Sequence, residues 1–498
     1  MNLLGRTRAV LTRARDLYRD PGSADQLSTL AARLDEPLRV AIAGRVKAGK
    51  STLLNALVAD RLAATDAGEC TRVVTWYRDG HTYQVLAHLR DGGTPRQLPF
   101  HRDHGAIEVD LAGLRPEQLE RLTVTWPSQA LRDAVLVDTP GIGSLSDQVS
   151  ARTWQLLAPG EEDEAPADAV IYLLRHLHRN DLDFLHAFHD TEVSRPNPVN
   201  AIGVLSRADE IGVGRLDAMT SARRIAARMA TDPDVRRVVQ TVVPVAGLLA
   251  ETAATLTEAE VAQLRTVARL PVREAESLLL SADRFVQLMP ELGLTATERE
   301  ALLERFGLFG VRLATVLLRR QVVATATELA TELTDRSGIA GLRQVLDTLF
   351  FERRDVLKSR SVLFALDTLL RTRPLPGSEA IAAEVEEIVA SAHTFNELRI
   401  LSAVRAGWVD GEPELLTALE DIVGGGGAAA HRRLRLPART DRAALVAAAG
   451  AALATWQRRA ENPLTSHELA VAARVAVRSC EGMIAELGTH DHDNPDRS

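Results

Sequence analysis

Apolar residues at Leu4, Val10, Leu11, Ala14 and Leu17 fall near helical spacing and predict a helix over residues 1 to about 35. The period then changes. The run LRVAIAG, Leu38–Gly44, is continuously apolar and ends in glycine, the pattern of a strand buried in a parallel sheet. VVTWY, YQVLAHL, LTVTWP, AVLVDTPG, AVIYLLR, VNAIGVLSRAD and VVQTVVPVAG follow, several of them separated by helical stretches, as far as Gly247. Strands alternating with helices predict a mostly parallel α/β sheet with helices on both faces.

From Leu248 onward strand patterns nearly vanish. TEAEVAQLRTVARL, ESLLLSADRFVQLM and TEREALLERFGLFGVRLATVLLRRQV carry helical periods, and Asp335–Gly338 breaks the series. IAGLRQVLDTLFFERRDVLKSRSVLFALDTLLR predicts one long helix, stopped by RPLPG at Arg373–Gly377. Further helices are predicted near 379–405, 413–423, 442–460 and 464–487. Between two of them GGGGAAAHRRLRLPAR, Gly424–Arg439, reads as a flexible connector that turns basic. The tail THDHDNPDRS is expected to be disordered.

Composition narrows the function. The chain has 498 residues, 46% hydrophobic and 25% charged, room for more than one core. Aromatics are only 4%, which with the alanine- and leucine-rich second half favours helices over a β-sandwich. A formal net charge of -8 argues against a general nucleic-acid binder. The two cysteines, Cys70 and Cys480, make no motif, so a reducing cytoplasm is the expected compartment. The N-terminus lacks the apolar core of a signal peptide, and the longest apolar run, Ala443–Trp456, is too short to span a bilayer. Any membrane role is therefore expected to be peripheral.

Candidate chemistry begins at Gly44–Ser51, which fits G-x-x-x-x-G-K-[ST] between a predicted strand and a predicted helix. In such a loop the backbone N–H groups of Gly44, Lys47, Ala48, Gly49, Lys50, Ser51 and Thr52 close on phosphate oxygens at the N-terminus of a helix. Lys50 would bridge the β- and γ-phosphates, and the Ser51 hydroxyl would ligate Mg²⁺. Asp138, ending the strand of VLVDTPGIG, is placed as a carboxylate near that Mg²⁺, and Gly141 can offer its N–H to the γ-phosphate. Thr71, in ECTRVVTW, could complete the Mg²⁺ shell. VLSRADE ends another strand. Its Asp209 could accept paired N–H donors from guanine, a pair that adenine does not supply. Ser206 precedes it, Arg207 could lay its stem over the purine, and Ala246 and Gly247 of VPVAG sit where a last base-contacting loop belongs. GTP is thus the expected substrate; a P-loop ATPase is disfavoured by Asp209.

AGRVKAGKSTLLNAL, ECTR, DTPG and SRAD resemble the guanine-nucleotide motifs of bacterial dynamin-like proteins. EPLRVAIAG, TDAGECTRVVTW, SRADEIGVGRLDAM, VVPVAGLLA, LLERFGLFGVR and HTFNELRIL are similar, over residues of about 35 to about 485, to the isoniazid-inducible dynamin-like proteins of mycobacteria, in particular the branch without transmembrane segments. The resemblance implies a GTP-hydrolysing head, a helical neck and trunk, nucleotide-dependent pairing of heads, membrane binding at the trunk tip and a related partner protein. The alternative is a regulatory GTP switch that binds a protein partner and never deforms lipid.

Two departures matter. The base motif carries Ser206 and Arg207 where the family pattern has Asn or Thr, then Lys, so guanine selectivity rests mainly on Asp209. After DTPG stands Ile142, where small switch GTPases carry a water-orienting glutamine. That makes Lys47 a candidate for an internal catalytic cation, like the arginine that guanylate-binding relatives carry in the equivalent loop position; the bland reading is a solvated lysine. Arg45 is read as facing solvent or a partner head.

The expected organisation is a neck helix at 1–35, a head at 36–350 with a helical insertion at 250–335, and a neck and trunk at 351–498 with a disordered tail from 488. SGIAGLRQVLDTLF fits the helix that closes such a head; otherwise the head ends near 250. Arg432, Arg433, Arg435 and Arg439, with Leu434 and Leu436, are the candidate contact to an anionic membrane. The alternative is a surface connector, and Trp408 marks a second candidate tip. His176, His178, His186 and His189 read as helix-surface histidines, and Gly160–Pro166 as a solvated acidic loop.

Overall fold

The computed structural model describes residues 2–63, 73–103, 106–140, 167–175, 200–289 and 292–489. The four histidines, the acidic loop, Cys70 and residues 490–498 lie outside them.

Eleven strands are described: β1 Leu38–Gly44, β2 Thr75–Arg78, β3 Gln84–Leu89, β4 Arg96–Gln97, β5 Phe100–Asp103, β6 Ala106–Val109, β7 Leu119–Thr125, β8 Ala134–Asp138, β9 Ala169–Leu174, β10 Ala201–Ser206 and β11 Val242–Val245. Nine form one sheet in the order β11-β10-β9-β1-β8-β2-β7-β3-β4. From β11 to β8 all pairings are parallel, as the continuous apolar runs predict, and antiparallel pairs occur only toward the β4 edge. The short β4 and the hairpin β5–β6 carry too few apolar residues to stand out in the sequence.

Side chains of β1 alternate between two cores, as strand geometry requires. Val40 and Ile42 face one with Leu54, Ile339 and Leu366, whereas Ala41 and Ala43 face the other with Tyr172, Leu249 and Phe306. The helices on the first side are α1 Leu3–Leu17, α2 Pro21–Arg33 and α3 Lys50–Val58. The single helix expected over 1–35 is divided because Asp20 caps a new one, accepting from the Ser23 N–H, and Pro21 follows at its first turn.

After β10 comes α4 Ala218–Thr231. After β11 come α5 Gly247–Ala254, α6 Glu258–Ala268, α7 Ala296–Arg319 and α8 Ala326–Ser337, with two shorter helices between α6 and α7. Thr–Glu capping boxes start α6, α7 and α8. This block packs on the second face of the sheet.

Then α9 Ile339–Leu349 returns to the first face, where Arg343 donates to the Ala56 and Leu57 carbonyls at the end of α3. The long helix expected from 339 is broken at Phe350–Arg353, where buried Phe350 takes φ -113° and ψ -56°. It resumes as α10 Arg354–Thr372. The trunk continues with α11 Ser378–Ser391, α12 His393–Arg405, α13 Pro413–Ile422, α14 Arg442–Glu461 and α15 His467–Thr489. Helices α10 to α12 share the first core with β1, while α13 to α15 gather a separate small core around Leu401, Leu419, Trp456 and Met483. Among the described residues no helix is long and apolar enough to cross a membrane.

Arg33 on α2 is fixed to the sheet by Asp168, 2.9 Å away with both side chains buried; the other Asp168 oxygen accepts the Arg39 N–H at 2.9 Å. Removing one partner of a buried pair leaves a charge uncompensated. Asp168→Ala is expected to destabilise the protein by about 3–5 kcal/mol, read as a lower midpoint of thermal unfolding; an unchanged midpoint would contradict the pair's role.

Candidate nucleotide site

At the carboxyl end of β1 the chain turns through Gly44 at φ +146°, Lys47 at +61° and Gly49 at +93° before α3 begins at Lys50. Gly44 is required by close approach: a Cβ there would stand 3.0 Å from both the Cβ and the carbonyl oxygen of Leu173 on β9. No side chain caps α3, so its first N–H groups point at the loop's interior. Lys50 folds back, its Nζ donating at 3.3 Å to the carbonyls of Gly44 and Arg45. Arg45 and Lys47 are exposed. The Ala48 N–H donates to the Arg45 carbonyl at 3.1 Å.

Asp138 ends β8 beside this loop. Its Oδ2 accepts from the Ser51 hydroxyl at 3.1 Å, while Oδ1 is enclosed and has no partner among the described residues. Burial pushes the Asp138 carboxyl above the ordinary carboxylate range, against the pull of Lys50 and Ser51. Burial likewise lowers Lys50, and Asp138 opposes that shift. A hydroxyl beside an under-partnered carboxylate is a hard-oxygen donor set, which fits Mg²⁺ held partly through water.

The second half of the site lies at the ends of β10 and β11. Ser206 donates weakly to the Leu174 carbonyl at 3.4 Å. Arg207 takes a left-handed φ of +51°, and its guanidinium meets Glu210 at 2.7 Å; Glu210 also holds Arg175 at 2.9 Å. Asp209 sits on the single turn Ala208–Glu210, 8% exposed. Burial raises its pKa to about 6; its own N–H and Arg207 oppose the rise, and Glu210 adds to it.

One cleft of about 150 Å³ joins the two halves. It is lined by Ala48, Gly49, Thr52 and Leu53 from the loop and α3, Leu173 and Val204 from the sheet, Ser206, Arg207, Asp209 and Glu210, and Val245, Gly247 and Leu248. Ala246 is buried behind it and its N–H donates to the Ser337 carbonyl at 2.8 Å. Thr71, Gly141 and Ile142 lie outside the described residues.

Of the candidate membrane residues, Arg433 pairs through two bonds with buried Glu397 at 2.8 and 3.0 Å, Arg435 pairs with Asp421, and Arg432 reaches Thr348 and Glu352. Trp408 is 41% exposed. The connector is thus largely taken up in contacts within the chain.

Some residues at the site escape a sequence reading. Buried Asn55 on α3 accepts the N–H groups of Leu62 and Ala63 and approaches Glu251, which pairs with Arg61 at 2.9 Å. A polar residue inside the apolar LLNALV was the available signal. Gly307 and Arg312 on α7 also reach the base-side loop.

Residues 40–178 match the family described as the Dynamin family. The isoniazid-induced protein IniC of Mycobacterium tuberculosis is 42% identical over 98% of this chain and 99% of its own length. This chain belongs to the isoniazid-induced branch of the dynamin family. It is therefore a dynamin-like GTPase. A bacterial dynamin-like protein of Nostoc punctiforme is 32% identical over a shorter stretch, 21% of this chain and 16% of the relative. A solved structure of an oligomerised bacterial dynamin pair, described as sensing and tethering membranes over long range, aligns with 98% of this chain and 75% of its own at 13% identity; its TM-score of 0.30 gives it no weight.

Proposed function

We propose that this dynamin-like GTPase binds GTP·Mg²⁺ across the cleft, hydrolyses it, and passes the change through its neck to a peripheral membrane contact. The observation that carries the reading is one cleft that brings Ala48, Gly49 and Thr52 of the loop and α3 together with the buried carboxylate of Asp209, with the Ser51–Asp138 hydrogen bond on the same loop. The guanine N–H donors are assigned to Asp209 and the purine face to the Arg207 stem. Gly247 borders the base, with Ala246 behind it. The phosphates lie over Gly44–Ser51 and Thr52, where Lys50 exchanges its two carbonyl partners for β- and γ-oxygens. Ser51, Asp138 and Thr71 would hold Mg²⁺, which when bound neutralises phosphate charge. Gly141 is assigned to the γ-phosphate. Lys47, already in a left-handed turn of the loop, would reach toward the transferred phosphoryl and stabilise its developing charge as water attacks phosphorus.

The division into a neck segment at 1–35, a head at 36–350 with a helical insertion at 250–335, and a trunk from 351 is supported by α9 returning to α3 and β11. The neck helices share the core that holds Val40 and Ile42, which gives the loop a mechanical route to the trunk. Further ties cross the junction: Arg236 to Glu420 and Arg432 to Thr348. Pairing of heads and a related partner protein complete the reading, at the cytoplasmic face of the membrane. For lipid contact the turn between α14 and α15 is better placed than the basic connector, because Leu464 is 91% exposed there with Arg458 and Arg459 just before it.

Three results are expected. Lys47→Ala lowers turnover by about 10²-fold while the GTP Kd changes far less; equal losses in both would make Lys47 a binding group only. Only ionised Asp209 can accept both guanine donors. With a pKa of about 6, affinity for guanine nucleotide should be full above that value and fall about tenfold per pH unit below it. Asp209→Asn should lose this inflection, and a flat wild-type profile from pH 7 to 5 would refute the assignment. In flotation with anionic liposomes the wild type should bind and Leu464→Asp should bind far less. Failure of the wild type under every nucleotide would favour the protein-binding switch.

A further inference from the structure

The base-side loop continues past Asp209 into an unusual turn. Gly212, Val213 and Gly214 all have left-handed backbone, at φ +66°, +61° and +66°. For a β-branched residue such as Val213 this conformation is strained and persists only where surroundings impose it. Arg312 on α7 imposes it. Its Nη1 donates to the Val213 carbonyl at 2.8 Å and to the Gly214 carbonyl at 2.6 Å. The rest of the guanidinium is fixed in turn: Nε donates to the Leu279 carbonyl at 2.8 Å, and Nη2 to Leu279 and Leu280 at 2.6 and 3.0 Å. One planar fork therefore ties the base-side loop to the helical block that follows β11.

The same helix also runs close to Asp209. At Gly307 it takes φ +60° and ψ 170°, a kink inside an otherwise continuous helix. A Cβ at Gly307 would lie 3.7 Å from Asp209 Oδ2 and 3.6 Å from Leu248, which lines the cleft. Two residues further on, the Phe309 N–H stands 3.4 Å from where a Cβ of Gly214 would lie. Asp209 thus lies beside a bend in α7 whose backbone, at φ +60° and ψ 170°, favours glycine.

We propose that α7 sets guanine selectivity, with Gly307 and Arg312 as positioning residues that hold Asp209 and its loop where the carboxylate can meet both guanine donors. This rests on the reading of Asp209 as the guanine acceptor. A purine lacking the 2-amino group offers one donor instead of two, so the ratio of ITP to GTP dissociation constants reports that alignment alone.

The test measures both constants, with kcat at saturating GTP, for the full-length wild type and for Arg312→Ala, Arg312→Lys and Gly307→Ala. The wild type should prefer GTP by roughly tenfold or more. In the variants that ratio should fall at least about fivefold, kcat/KM for GTP should drop, and kcat should stay close to wild type because the phosphate end is untouched. Arg312→Lys keeps the charge without the fork and serves if Arg312→Ala fails to fold. If the variants weaken GTP and ITP equally, with the ratio kept, the helix is only structural and the proposal is overturned. Asp209→Asn separates the two layers. If it leaves the ratio intact, the guanine assignment itself falls and the proposal with it; if it collapses the ratio while the α7 variants keep it, only the proposal falls.

Discussion

A half-buried ammonium and a half-buried carboxylate face one another where β1 and β8 end, and among the described residues neither has the partners its charge calls for. Lys50 rests on two loop carbonyls at 3.3 Å, and Asp138 keeps one enclosed oxygen without a partner among the described residues. Desolvating such groups is costly unless they are paired. The parallel sheet forces the arrangement, since burying β1 on both faces and between two neighbours delivers the loop to the strand ends with no freedom to retreat. The site is therefore held in a state that a phosphate and a hard cation would relieve.

The two faces of β1 lead to different parts of the molecule. Val40 and Ile42 share their core with the closing helix and the neck, whereas Ala41 and Ala43 share theirs with the helical block that presses on Asp209. Alternate residues of one strand thus pack into two separate cores. The second gives the protein's nucleotide preference a source outside the nucleotide loops.

Much of this was legible in the sequence because the signals are local. The seven apolar runs after β1 all contain strands; the G-x-x-x-x-G-K-S loop and Asp209 border one cleft, and Asp138 bonds to Ser51 of that loop. What the sequence did not disclose depends on distant partners. The basic connector reads as a free cationic strip until Arg433 is found against Glu397, a residue far away in the chain. Gly307 stands inside a segment with an unbroken helical period, and its nearness to Asp209 shows only in the fold. The long helices were drawn unbroken at Asp20 and at Phe350, where a cap and a buried aromatic divide them.

The most direct measurement is a crystal structure of the full chain with GDP, aluminium fluoride and Mg²⁺. The account predicts Asp209 within hydrogen-bond reach of two guanine nitrogens, Lys50 turned from its carbonyls to the phosphates, and Lys47 on the fluoride-bearing group. A nucleotide bound elsewhere, or one whose base leaves Asp209 unpaired against Gly307, would contradict it.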